Sequence, residues 1–125
     1  MPATKTTTAP PAVRQPKDPE AAALAAAARD LARAAGLKSA YTPAEARGVL
    51  DHVTVEKAPR GVLVLARDGV EPQRMRVSVL RAFISGEKTD DTRAAAKVMA
   101  ELARDLPGTV YGRKMAAFLL AAATN

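Results

Sequence analysis

Alanine and valine divide this chain between them. Of its 125 residues, 29 are Ala and 11 are Val. Between Val49 and Val79 stand eight of the Val but only two of the Ala, Ala58 and Ala66. Alanine is the best helix former, and β-branched valine suits a pleated, half-buried surface. The partition predicts an Ala-rich helical flank, a Val-rich centre of strands and a second helical flank. With two Phe, two Tyr and no Trp, the core must be filled by Ala, Val, Leu and Met.

Each flank carries its own start and stop signals. Asp18 can cap a first helix, Pro19 suits its first position and Glu20 complements its dipole. Ten of the seventeen residues from Glu20 to Gly36 are Ala, with Leu24, Ala27, Ala28, Leu31 and Ala35 on one narrow apolar face. Gly36 is placed to end it. Thr42-Pro43-Ala44-Glu45 spells a capping box for a short second helix that buries Ala46, Val49 and Leu50 and fades near Asp51 and His52. At the other flank, Thr89, Asp90 and Asp91 mark a helix start. Ala95, Val98, Met99, Leu102 and Leu106 form its buried stripe, and Leu106-Pro107-Gly108 stops it. A last helix, about Thr109–Ala123, presents Tyr111, Met115, Phe118, Leu119 and Ala122 to the core.

The centre alternates. Val53–Lys57 predicts one strand, Ala58-Pro59-Arg60-Gly61 a turn, and Val62–Ala66 a central strand that is apolar on both faces. Arg67-Asp68-Gly69 carries the Asp-Gly turn signal. From Arg74 to Leu80 the pattern predicts a third strand, with Met75, Val77 and Val79 on one side and Arg74, Arg76 and Ser78 on the other. The expected fold is α+β: two N-terminal helices, a small antiparallel three-stranded meander and two C-terminal helices packed on one of its faces. The alternative is an all-α bundle with a helix-turn-helix over residues 59–85, in which a helix from Pro72 to Ser85 ends at Gly86. There Arg74, Ser78 and Arg81 form the basic stripe.

Residues 1–17 hold four prolines and four threonines and predict a disordered or extended basic arm. Residues 18–125 are expected to form a single globular domain. The chain has no cysteine, so disulfides and thiolate metal sites are excluded. The N-terminus lacks the apolar stretch of a secretory signal. The longest apolar run, Met115–Ala123, is nine residues long, far short of the ~20 that span a bilayer. An intracellular setting is expected, in the cytoplasm or, for an assembly protein, in a virion, with no membrane partner.

The formal charge is +6, and its placement points to function. Residues 58–88 carry Arg60, Arg67, Arg74, Arg76, Arg81 and Lys88 against Asp68, Glu71 and Glu87. The excess falls on this Val-rich centre and on the arm, through Lys5, Arg14 and Lys17. Guanidinium groups match phosphate oxygens and guanine edges. The sequence therefore predicts a non-enzymatic nucleic-acid-binding accessory or regulatory protein whose Arg67, Arg74, Arg76 and Arg81 contact the ligand. The alternative is a structural or assembly component, phage- or capsid-type, whose arm docks on neighbouring subunits or on another protein. The strands lack the interleaved aromatics that stack on single-stranded bases. No catalytic, metal or cofactor residues are expected. His52 has no second His, Asp90-Asp91 is explained by helix capping, and neither a phosphate loop nor a dinucleotide fingerprint is present.

Overall fold

The computed structural model describes residues 17–106 and 110–124. In chain order these form α1 (Pro19–Ala34), α2 (Pro43–His52), β1 (Val53–Ala58), β2 (Val62–Arg67), β3 (Val70–Arg76), α3 (Val77–Ile84), α4 (Asp90–Ala103) and α5 (Gly112–Thr124). The three strands make one antiparallel sheet in the order β1-β2-β3. The fold is α+β, as the Ala/Val partition predicts, and the region 59–85 is not a helix-turn-helix.

The last helix is the centre of the molecule. Every residue of α5 from Met115 to Ala121 is buried, and so is Ala123. A helix that is apolar all round must be enclosed, and α1, α2, α3, α4 and β1 all pack on this one. The neighbour with the most Ala is α1, which buries Ala21, Leu24, Ala25, Ala28 and Ala32. Small side chains let two helix axes approach to the near end of the ~8–10 Å range. The stripe is turned slightly from the expected one: Ala27, Leu31 and Ala35 are only half-buried.

The first half of α2 is tied to other elements. Thr42 caps α2 through its hydroxyl, which accepts from the Glu45 amide at 3.2 Å. The Glu45 carboxylate accepts from the Thr42 amide at 3.0 Å, completing the capping box. Its other oxygen accepts from Lys114 Nζ on α5 at 2.5 Å, with both side chains largely buried. The Lys114 ammonium also lies 5.3 Å from the centre of the Tyr41 ring, which meets Phe118 at 5.4 Å. Burial, and then the nearby Glu45 charge, pushes the Tyr41 phenol up from its ordinary value. Arg47 binds both carboxylate oxygens of Asp18 at 2.7 and 2.8 Å. It also reaches Glu20 at 3.0 Å and Asp51 at 3.1 Å, joining α2 to the start of α1.

The third strand differs from expectation at both ends. It begins at Val70 and runs through Pro72, because the register shifts between Leu65 and Arg67. Two residues, Glu71 and Pro72, stand against one, Ala66, in a bulge where the missing proline N–H breaks no ladder bond. It ends at Arg76, not Leu80. Arg76 pairs with Val62, the first residue of β2, so a longer strand would have no partner. The Val77 amide instead donates to the Gly61 carbonyl at 2.8 Å, and the chain turns into α3. Val77 and Val79 therefore do not continue the Met75 face. Leu80 and Ile84, one helical turn apart, are the buried residues of α3. Tyr111 also departs from expectation: it precedes α5 and is 69% exposed.

Replacing Phe118 by Ala at the centre of this core should destabilise the protein by about 3–5 kcal/mol, read as a lowered midpoint in chemical denaturation. A second outcome concerns Asp18. The Arg47 hydrogen bonds, and then the Ala21 amide, hold its carboxyl down at about 2, against an ordinary 3.8. Because the folded value is the lower one, the stabilisation is complete above 3.8 and disappears as pH falls through about 2. Carboxyl NMR should show Asp18 titrating near the lower value. Asp18→Asn should remove that part of the acid dependence of stability.

Candidate nucleic-acid interface

The register assigns the two faces of the sheet. Val53, Val55, Leu63, Leu65 and Met75 share the inner face, toward the helices. The opposite face carries Thr54, Glu56 and Ala58 from β1, Val62, Val64 and Ala66 from β2, and Arg74 and Arg76 from β3. It is solvated: Arg74, Arg76, Thr54 and Glu56 are exposed, and the valines are half-buried. Arg74 lies directly opposite Val64 and Arg76 opposite Val62. Such pairs bring Cβ atoms within about 5 Å, so the arginine stems flank the valines while their charged ends stay in water.

Arg60 lies close to this face in sequence and is exposed. It sits in the β1–β2 turn, just beyond the Val62–Arg76 pair, with φ +66°. Left-handed backbone costs an ordinary residue about 1–2 kcal/mol, and glycine almost nothing. Gly61 beside it has the same geometry, φ +70°. The strain at Arg60 is tolerated because the turn is held at Gly61 by the bond from Val77.

The arginines divide by environment. Several are neutralised nearby: Arg47 by three carboxylates, Arg29 by Asp30, Arg93 by Asp90 and Arg104 by Glu101, whereas exposed Arg33 on α1 has no ion pair among the described residues. Two others serve helix ends. Arg113 donates to the Ile84 carbonyl closing α3, and Arg67 donates to the Leu102 and Arg104 carbonyls closing α4, at 2.8 and 2.6 Å. No ion pair among the described residues involves Arg60, Arg74, Arg76 or Arg81.

The four arginines expected to act together are therefore separated. Arg74 and Arg76 stand side by side. Arg67 points the other way and completes a helix terminus, so its role is structural. Arg81 is on α3 and lines a shallow cleft with Leu31 and Ala34 of α1, Ala35 just after it and Leu120 of α5. Lys17 is exposed ahead of α1; Lys5 and Arg14 lie outside the described residues. Arg60 was not among the expected site residues. Its sequence signal is a non-glycine residue in a turn closed by Gly61, and only the register shows that the turn abuts Arg76.

His52 has its Nδ1 2.8 Å from the Gly48 carbonyl one turn back. Asp90 pairs with Arg93, and Thr89 and Thr92 form the capping box of α4. Among the described residues no group of three or more His, Cys, Asp or Glu could hold a metal, and no helix is long and apolar enough to cross a membrane. Comparison with known proteins found no matching family, no similar curated protein and no similar solved structure.

Removing the α4 cap with Arg67→Met should cost about 1–3 kcal/mol of stability. Chemical denaturation of parent and variant side by side would check it.

Proposed function

We propose that this chain is a non-enzymatic nucleic-acid-binding protein, accessory or regulatory in role, that uses the solvated face of its sheet. The observation behind this reading is the placement of Arg74 and Arg76. They sit adjacent on an open, rigid strand, with Arg60 at the neighbouring turn, and none is neutralised by a carboxylate. Arginines left unpaired on one face attract phosphate and release the counterions condensed on it. The strain at Arg60 fits the same reading, since glycine would serve the turn better and carries no charge. Arg81, on a different surface, is left out of the contact set. The basic stretch before α1, with Lys5, Arg14 and Lys17, adds charge that favours encounter.

Binding to a labelled DNA duplex should weaken about three- to fourfold between about 50 and about 200 mM salt for each phosphate contacted. Arg74→Ala with Arg76→Ala should lower affinity at least about tenfold at low salt. Arg60→Gly should bind more weakly yet melt at a higher temperature. Salt-independent binding, or no loss in the double variant, would contradict the proposal.

A further inference from the structure

Glu56 stands on the same open face as the arginines. Across the sheet it shares a row with Val64 and Arg74, one residue from each strand. The two edge strands are about 10 Å apart, and Glu56 and Arg74 form no ion pair. On a surface that only tracks phosphates, an exposed carboxylate at this position would repel the ligand. On a surface that reads base edges, a donor, an apolar group and an acceptor are what the major groove requires. Arginine donates to guanine O6 and N7, a small apolar side chain meets the thymine methyl, and glutamate accepts from cytosine N4.

Dimensions and composition select among the nucleic acids. The edge-strand axes lie about 10 Å apart, so a row of side chains across the sheet is of the scale of the ~12 Å major groove of B-form DNA. Arg74 and Arg76 are about 7 Å apart along β3, close to two base-pair steps of ~3.4 Å. A-form RNA has a deep, narrow major groove that side chains cannot read, and its single strands are captured by stacking on aromatics. This face carries no aromatic residue: Tyr41 and Phe118 pack together behind the sheet, and Phe83 and Tyr111 lie outside the strands.

We infer that the open sheet face reads duplex DNA in the major groove. Arg74 and Arg76 address guanines two steps apart, Val62 and Val64 contact the groove floor, Glu56 selects a cytosine and Arg60 grips the flanking phosphate. This rests on the nucleic-acid-binding reading above and goes beyond it in naming the duplex, the groove and the sequence preference.

In vitro selection from a random duplex library with the full chain tests it. The expected result is an enriched motif containing two guanines about two steps apart. Arg74→Ala and Arg76→Ala should each relax one of them, losing about 5- to 150-fold in preference at that position. Glu56→Ala is the decisive variant. It should lose preference at one cytosine while binding unrelated duplexes as tightly as the parent or more tightly. All three residues are exposed, and thermal melting would confirm that the variants fold. Selection without a motif, equal affinity for duplex RNA or single strands, or tighter binding of Glu56→Ala to every duplex alike would overturn the inference and leave the proposed function standing. No binding to any nucleic acid, as for a face that docks an acidic protein, would overturn both.

Discussion

The enclosure of α5 is the constraint on which the remaining architecture depends. A helix with Met115, Phe118, Leu119 and Leu120 all removed from water has no solvent-facing side, and each such side chain contributes about 1.5–3 kcal/mol by its burial. Enclosing it takes several layers: Ala-rich α1 along one side, α3 and α4 along others, and the edge of the sheet through β1. With α5 on β1 and α3 and α4 on β3, the sheet is covered on one side and open on the other. The open face is a by-product of where the most apolar helix had to go.

The ends of the enclosed helix show how charge is kept compatible with that core. Lys114 lies on α5 only four residues before Phe118, yet Glu45 meets it at 2.5 Å and the Tyr41 ring flanks it. A buried ion pair of this kind is weak evidence for stability, although losing one partner leaves an uncompensated charge. Its main consequence is geometric, holding the start of α2 against the start of α5. Arg67 and Arg113 do comparable work at the C-terminal carbonyls of α4 and α3, where a cation suits the helix dipole.

Much of this was legible in the residues, and the exceptions are informative. Asp18-Pro19 and Thr42-Pro43-Ala44-Glu45 announce their helices because capping is a local, short-range chemistry. The Ala/Val partition located the sheet for the same reason. The path from Arg74 to Ile84 was not legible, because its strict alternation also satisfies a helix that buries only Leu80 and Ile84. What decides it is where β2 begins: Val62, fourteen residues earlier, stands opposite Arg76 and leaves no partner beyond it. The candidate site was half legible. Alternation placed Arg74 and Arg76 together, whereas only long-range register could bring Glu56 to the same face, set the Arg60 turn beside the Arg76 pair, or turn Arg67 away.

Arg67 and Arg113 hold helix ends, whereas Arg74, Arg76 and the nearby Arg60 are left unneutralised at the open side of the sheet, the surface proposed to bind. Backbone amide NMR, recorded while a short DNA duplex is titrated into the labelled chain, tests that separation most directly. Shifts should concentrate at residues 54–66 and 70–76 and at the turn holding Arg60, with α1, α4 and α5 unchanged. Shifts centred on the helical surfaces, around Arg93 and Arg104 or in the cleft beside Arg81, would contradict it.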